Sequence, residues 1–308
     1  MPAVASVPLR TSLSEPIHTE LSLDWTIALA GGDGSRIQDY ITRRFGVPIP
    51  KQYCRVIDQR SVLEHTLDRL NLLTPASRTM TVIGADHRRW AIPQLVGRSD
   101  HVFCQPQWRD TAVAVYVTVA MIMRWHPNAI VTIAPTDHYI VPASRYLDAI
   151  VAARQATSKL RSTVVLIGVA TTEPEPDVRH VVLGSTLSEE IGVHQVAAFV
   201  NDPTALGAVW RTAVVCGSVS ALWELGRATE PRLLEILDSL IPLVGTEDEA
   251  DAIDYIYRTR LPVSFSRDVY ERATARVAAL PIPGVEWSDL TNPDRVERVM
   301  ELAALPGR

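Results

Sequence analysis

The sequence has few cysteines, few lysines and no long apolar run. Its three cysteines, Cys54, Cys104 and Cys216, lie too far apart to suggest a disulfide framework or a paired-cysteine zinc site. We therefore expect a reduced, cytoplasmic protein. No stretch approaches the roughly 18 consecutive apolar residues of a membrane helix, so no membrane partner is expected. Residues 1–20 lack the basic start and apolar run of a signal peptide, and we expect a tail or arm there.

The charge composition is mildly acidic and almost free of lysine. A net charge of −5, without any basic block, argues against nucleic acid as a partner. Of the 30 basic residues, 28 are arginine, and only Lys51 and Lys159 are lysine. In a chain that otherwise uses arginine, a retained lysine hints at a position that needs a compact, flexible ammonium group. Chance is an adequate explanation for Lys159, which ends a predicted helix.

Short apolar runs alternate with helical patterns over the first half of the chain. The predicted strands are 25–30, 79–83, 101–104, 129–134 and 163–169. The predicted helices are 61–73, which opens with a Ser-x-x-Glu capping box, 110–125 and 143–158. This alternation predicts an α/β fold, Rossmann-like and doubly wound, with a mostly parallel (mixed) sheet.

The alternation of predicted strands and helices becomes less regular after residue 168. Short β-like runs at 181–183, 194–200 and 211–215 predict a mixed-sheet extension that carries a substrate pocket. The chain after Glu230 is predicted to be mostly helical, with helices at 232–240, 247–258, 267–274 and 293–302. The predicted organisation is an N-terminal arm (1–20), a main domain (21–290) whose halves are about 21–170 and 171–290, and a C-terminal helix (291–308).

A glycine-rich loop follows the first predicted strand, as Leu29-Ala-Gly-Gly-Asp-Gly-Ser-Arg36. Three glycines in four positions let backbone amides converge on one anion, and Arg36 adds a guanidinium. The pattern is neither a P-loop nor a dinucleotide fingerprint, and a tight turn is its ordinary explanation. Arg36, together with Pro50-Lys51-Gln52 further along, favours phosphate binding.

A second unusual loop, Ile133-Ala-Pro-Thr-Asp-His138, follows another predicted core strand. A carboxylate there is costly unless it is solvated, paired or bound to metal. Asp137 could supply the hard oxygen ligand that Mg²⁺ takes from protein, or could cap the next helix, although Pro142 intervenes. We expect His138 to be a structural hydrogen-bonding residue. Asp289, in Glu286-Trp-Ser-Asp289, is a candidate second ligand.

Five segments match one family in the family's own order. The family signatures LAGGxGTRL, PKQ, EPxxRNTA, PxDH and WSDxG correspond to Leu29–Ile37, Pro50–Gln52, Gln105–Ala112, Pro135–His138 and Trp287–Thr291. On these residues the chain resembles the sugar-1-phosphate nucleotidylyltransferases, most closely the bacterial mannose-1-phosphate guanylyltransferase-like branch, from about Trp25 to Met300. The resemblance implies the sheet of the nucleotide-diphospho-sugar transferase type. A homo-oligomer is possible.

The resemblance implies that a sugar-1-phosphate, with mannose-1-phosphate favoured, attacks an NTP, with GTP favoured, and releases pyrophosphate. The catalytic residues would be Arg36 and Lys51, with Lys51 near the α-phosphate. Asp137 and Asp289 would hold Mg²⁺ as cofactor. The nucleotide-binding residues would be Leu29, Ala30, Gly31, Gly32, Asp33, Gly34, Ser35, Gln52, Pro106, Asp110 and Thr111.

The acceptor half departs from the family in three segments. Arg179 replaces the glycine of a YGYI-like segment, and Asp202, after Asn201, stands where FvEKP has its lysine. Val214–Gly217 is matched to a WNSG-like segment and lacks its amide. The implied sugar-phosphate residues are therefore Arg179, Asn201 and Asp202, and Asp202 would repel a phosphate. We expect Arg179 or Arg211 to face the cleft that holds Asp137.

Three functions remain open from the sequence. The first is an active nucleotidylyltransferase with an altered acceptor pocket. The second is a paralogue that binds a nucleotide or nucleotide-sugar with weak or no catalysis, as a regulatory subunit. The third is a generic nucleotide-binding protein, such as a glycosyltransferase or dehydrogenase, which leaves Lys51-Gln52 and Trp287-Ser-Asp289 without a role.

Overall fold

The computed structural model describes residues 24–32, 34–170, 178–202 and 207–304. The strands within these ranges are β1 (Asp24–Ala30), β2 (Thr79–Gly84), β3 (His101–Gln105), β4 (Ile130–Pro135), β5 (His138–Val141), β6 (Val164–Val169), β7 (His180–Ser188), β8 (Val193–Val200), β9 (Ala208–Ser218), β10 (Val277–Ile282) and β11 (Glu286–Asp289). The α-helices are α1 (Gln38–Phe45), α2 (Val62–Leu70), α3 (Arg88–Leu95), α4 (Asp110–Trp125), α5 (Ala143–Lys159), α6 (Val219–Thr229), α7 (Pro231–Leu240), α8 (Glu249–Thr259) and α9 (Pro293–Ala303). The predicted N-terminal arm lies outside the described residues.

Nine of these strands form one sheet, in the order β3-β2-β1-β4-β9-β6-β10-β8-β7. Strands β1 to β4 pair in parallel, and so do β6 and β10. Strands β7, β8 and β9 join antiparallel. A separate two-stranded ladder pairs β5 with β11. The predicted α/β fold with a mixed sheet is therefore confirmed.

Alternate residues of the central strands face two different cores. In β1, Trp25 and Ile27 pack into one core with the buried helix α4, whereas Ala28 and Ala30 face a second core with α2 and α3. This period of two places helices on both faces of the sheet. The capping box of α2 forms as predicted, because the Ser61 side chain accepts from the Glu64 amide and Glu64 accepts from the Ser61 amide.

The prediction of a mostly helical chain after Glu230 is wrong for Val277–Ile282 and Glu286–Asp289, which are strands. Strand β10 enters the middle of the sheet between β6 and β8, and β11 pairs with β5. The predicted helix at 267–274 is instead a series of short turns at Phe265–Val269, Tyr270–Arg272 and Thr274–Arg276. A six-residue apolar run cannot be distinguished from a buried helical segment by periodicity alone.

No helix within the described ranges is long and apolar enough to cross a lipid bilayer.

The buried guanidinium of Arg154 ties α5 to the beginning of the sheet. Its Nε donates to Thr132 Oγ1 at 2.9 Å and its Nη2 to Thr74 Oγ1 at 2.7 Å. Its Nη1 pairs with Asp24 Oδ2 at 3.2 Å, at the first residue of β1. A charge that is 6% exposed is tolerable only because each of its nitrogens has a partner.

We expect Asp24→Ala to lower the free energy of unfolding by about 1.5–3 kcal/mol, the range for a hydrogen bond to a charged group. Asp254→Ala is the matched control, because Asp254 also pairs with an arginine, Arg258, but on an exposed helix face. Asp254→Ala should lower the free energy of unfolding by less than about 0.5 kcal/mol. Urea denaturation of both variants measures the difference, and equal losses would contradict a structural role for the buried pair.

Candidate active site

The glycine-rich segment forms a loop between β1 and the helical turn Ser35–Ile37, as predicted. Gln52 holds this loop, since its Nε2 donates to the carbonyl oxygens of Ala30 at 2.7 Å and Gly32 at 2.9 Å. Gly34 has a φ of 67°, in the left-handed region that favours glycine. Among the described residues, the amides of Gly32 and Gly34 donate to no backbone carbonyl. They are therefore available to an anion.

Two of the loop glycines pack closely against functional neighbours. A Cβ on Gly31 would collide with the side-chain amide of Gln105, which ends β3. A Cβ on Gly34 would lie 3.5 Å from the backbone nitrogen of Lys51. Gly32 faces open space, and a Cβ there would meet nothing within 4 Å. The loop thus fits against β3 and Lys51 on one side and leaves its other side open.

Lys51 and Asp137 form an ion pair in the cleft beside this loop. The Lys51 Nζ lies 2.7 Å from Asp137 Oδ2, and the two side chains are 14% and 22% exposed. Burial alone would raise the pKa of Asp137, but the positive charge and hydrogen bond of Lys51, with a contribution from His138, lower that pKa to about 2. Asp137 is therefore ionised at neutral pH. The lysine retained by the sequence has a carboxylate partner in the cleft.

The ladder of β5 and β11 brings Asp289 next to the Asp137 loop. Asp289 lies opposite His138 in this ladder, and the Leu290 amide donates to the Asp137 carbonyl at 3.1 Å. Burial lowers the pKa of His138, so its imidazole is neutral. Its Nδ1 accepts a hydrogen bond from Trp287 Nε1 at 3.3 Å. His138 therefore has the structural hydrogen-bonding role expected from the sequence.

The two candidate metal ligands have different surroundings. Asp137 lines the cleft, whereas Asp289 is held by the guanidinium of Arg295 and accepts from Thr291 Oγ1 at 2.6 Å. Within the described ranges, no group of three or more His, Cys, Asp or Glu side chains could hold a metal. A hard cation such as Mg²⁺ often takes only one or two carboxylates from a protein and completes its shell with phosphate and water.

The loop after β3 forms the opposite wall of the cleft. Asp110, the first residue of α4, has a φ of 58°, and its Oδ1 accepts from the Thr111 amide at 2.7 Å. Thr111 Oγ1 accepts from the Phe265 amide at 2.9 Å, which fixes this wall to the turn at Phe265–Val269. Asp110 and Thr111 both line the cleft.

The cleft has a volume of about 220 Å³ and draws its walls from both halves of the sheet. Its described lining is Leu29, Gly31, Gly32, Lys51, Gln52, Val82, Gln105, Trp108, Asp110, Thr111, Ala114, Pro135, Thr136, Asp137, Ala213, Phe265, Ser266 and Tyr270. Pro106 and Arg36 are not among these residues, and Arg36 is exposed on the turn beside the loop. Asp33 lies outside the described residues.

The acceptor-half arginines converge on one largely buried carboxylate. Arg179 Nη2 lies 3.4 Å from Glu271 Oε2, and Arg211 Nη1 lies 3.1 Å from Glu271 Oε1. Arg179 also donates to Asn201 Oδ1 at 2.8 Å, while Asp202 is exposed. Neither arginine is in the described lining, contrary to the expectation that one would face Asp137. Arg211 reaches the cleft only through Tyr270, whose hydroxyl accepts from it at 2.6 Å.

The structure corrects the match of Val214–Gly217 to the WNSG-like segment. Val214, Val215 and Cys216 are fully buried and cannot contact a ligand. Within the described lining of the cleft, strand β9 contributes Ala213, which lies where β9 bulges against β6. Ala213 has a φ of 58°, a conformation that strains a residue with a Cβ. A strand bulge cannot be located from alternating hydrophobicity, so the sequence pattern did not indicate it.

Three residues at or beside the cleft were not identified as candidates from the sequence. Gln105 lies inside a segment already quoted and could have been found there. Tyr270 and Glu271 lie on the irregular turns after α8, in a segment that the sequence pattern predicted to be a helix.

The chain is similar to known nucleotidyl transferases. The family model described as nucleotidyl transferase matches residues 25–177. The alginate biosynthesis protein AlgA of Pseudomonas fluorescens is 25% identical over 279 residues, covering 86% of this chain and 56% of that protein. A mannose-1-phosphate guanylyltransferase of Escherichia coli is 26% identical over 184 residues, covering 58% of this chain and 38% of that protein. The chain spans about half the length of the curated relatives it matches.

The fold is similar to that of a solved structure. The crystal structure of mannose-1-phosphate geranyltransferase from Thermus thermophilus has a TM-score of 0.75 and 25% identity, covering 90% of this chain and 78% of that one. The fold is thus that of the nucleotide-diphospho-sugar transferases.

We expect Lys51→Met to raise the pKa of Asp137, because burial would then act on the carboxylate without the compensating ammonium charge. The depressed pKa stabilises the folded protein at neutral pH, and this stabilisation is lost as pH falls from roughly 4 to 2. Carbon-13 NMR titration of the aspartate carboxyl groups measures the shift. Lys159→Met is the matched control, since Lys159 pairs with the exposed Glu190. An unchanged Asp137 titration in Lys51→Met would contradict the ion pair.

Proposed function

Because the chain belongs to the nucleotidyl transferase family, we propose that it transfers a nucleotidyl group from an NTP to a sugar-1-phosphate and releases pyrophosphate. The observation that carries the proposal is the placement of Lys51 and Asp137 beside the glycine-rich loop in one cleft. These three elements are distant in the sequence, and each suits a phosphate or its counter-ion. A dehydrogenase or an ordinary tight turn gives no reason for their convergence.

The chain's own groups would act by positioning the phosphates and neutralising their charge. The open amides of the loop and the exposed guanidinium of Arg36 would hold the triphosphate. Lys51 would lie near the α-phosphate, where its ammonium can exchange Asp137 for a phosphate oxygen without a large movement. Gln52 would keep the loop in place through its two carbonyl contacts.

We propose Mg²⁺ as cofactor, held by Asp137 and Asp289. Asp137 fits because it is ionised and faces the cleft. Asp289 fits through its backbone position beside Asp137, but its carboxylate would have to share or leave Arg295. The bound ion would neutralise phosphate charge and orient the triphosphate.

We propose GTP and mannose-1-phosphate as the first substrates to test, because the Escherichia coli relative is a mannose-1-phosphate guanylyltransferase. The second candidate function is a nucleotide-binding paralogue with weak or no catalysis. It is favoured by the acceptor half, where Glu271 draws both arginines and Asp202 adds negative charge.

A turnover screen separates these functions. The four NTPs are combined with a panel of sugar-1-phosphates and Mg²⁺, and pyrophosphate release is measured. Release with one NTP and one sugar phosphate supports the transferase. Thermal stabilisation by NTP without pyrophosphate release supports the paralogue. If the protein shows no stabilisation and no pyrophosphate release, both functions are contradicted.

We expect Lys51→Ala to lower turnover roughly 10²- to 10³-fold, the scale of one positioned charge-stabilising donor. The free energy of unfolding should change much less, because a cleft lysine contributes little to the core. Pyrophosphate release and urea denaturation are measured on the same preparations. Lys159→Ala, which removes the chain's other lysine, should leave turnover unchanged. Proportional losses of stability and activity in Lys51→Ala would make Lys51 structural.

We expect the series Asp202, Asp202→Asn and Asp202→Lys to bind a sugar-1-phosphate progressively more tightly, as repulsion gives way to attraction. The KM for the sugar phosphate should fall along the series, with the KM for NTP unchanged. Steady-state kinetics at fixed ionic strength provides the measurement. A flat series would place the acceptor phosphate away from Asp202.

A further inference from the structure

Trp108 differs from every other tryptophan of the chain in its surroundings. The other six each lie 5.1–6.1 Å, centroid to centroid, from another aromatic ring. Within the described ranges Trp108 has no such neighbour, and it is the most exposed tryptophan, at 54%. Trp108 is one of the residues that line the cleft. A large aromatic surface is thus left uncovered at a ligand cavity.

The backbone that carries this indole is held from both sides. Gln107 Nε2 and Arg109 Nε both donate to the Tyr257 carbonyl, at 2.7 and 2.8 Å. Arg109 Nη1 donates to the Trp108 carbonyl at 3.1 Å, and the Val263 amide donates to the Arg109 carbonyl at 3.1 Å. The Trp108 main chain is therefore anchored, while its side chain makes no hydrogen bond or ring contact with the residues that the structure describes.

The position of Trp108 decides which part of a ligand it can meet. It shares its wall with Val82 and Gln105, at the ends of β2 and β3, and with Thr111 at the beginning of α4. The residues that approach the cleft from the acceptor half, Ala213 and Tyr270, belong to other elements. Lys51 and Asp137 mark the place of the phosphates between these walls. A ligand bound through its phosphates would direct its planar ring toward β2 and β3.

We propose that Trp108 is a nucleotide-binding residue that stacks its indole on the nucleobase of the bound NTP. This inference rests on the proposed function, which supplies the NTP. A planar base covers the exposed face of an indole, and every base offers such a face. Because the anchored main chain leaves only the side chain to be ordered, little conformational entropy is lost on stacking.

The test compares a ligand that has a base with one that lacks it. Affinities of GTP and of inorganic tripolyphosphate are measured by calorimetry for the wild type, Trp108→Ala and Trp108→Phe. We expect Trp108→Ala to bind GTP roughly 5- to 150-fold more weakly and tripolyphosphate equally well. Trp108→Phe should recover most of the affinity for GTP. Trp125→Phe, the variant of the next most exposed tryptophan, should bind both ligands as the wild type does.

The outcomes separate this inference from the proposed function. Unchanged GTP affinity in Trp108→Ala overturns the stacking role and leaves the proposed function standing. A parallel loss of tripolyphosphate affinity makes Trp108 a structural residue and also overturns it. The stacking role is also excluded if the wild type binds GTP, UTP, CTP and ATP no more tightly than it binds tripolyphosphate. A wild type that binds none of these ligands contradicts the proposed function itself.

Discussion

The parallel pairing of β1 with β4 is the constraint on which the candidate site depends. Leu29 lies opposite Pro135 in this pairing, and Thr136 Oγ1 donates to the Leu29 carbonyl at 3.0 Å. The two strands therefore end side by side, and both of their loops leave the sheet at the same edge. Without this register, the glycine-rich loop and Asp137 would open in different places. Lys51 then needs only a short turn after Pro50 to reach both.

The acceptor half is built on a different balance of forces. Two guanidinium groups share the Glu271 carboxylate, which is 10% exposed, so the cluster retains an excess of positive charge. Glu271 reaches the cluster from an irregular turn and not from the sheet. The partner of both arginines is therefore supplied by an irregular turn outside the sheet. Ala213 adds strain to the same region, which is typical of sites where backbone geometry serves a ligand.

How much could be predicted from the sequence depended on whether a local pattern encoded the feature. The sequence predicted α4 with both ends correct, because residues 112–123 are apolar except for Thr118. The capping box at Ser61 is equally local. Strand β10 was missed because its partners β6 and β8 come from distant parts of the chain. Likewise, nothing near Lys51 predicts that its ammonium meets Asp137, although the family motifs placed both in one site.

The late entry of β10 into the sheet has a consequence for synthesis. The pairings of β6 and β8 with residues 277–282 cannot form until those residues have left the ribosome. Until then the β6 edge lies open, and the apolar side chains of β6 that will be fully buried lack part of their cover. Strands β1 to β4, in which each strand has a partner within the set, can pair earlier. The nascent chain is therefore most exposed to aggregation or chaperone binding while residues 170–276 are being made.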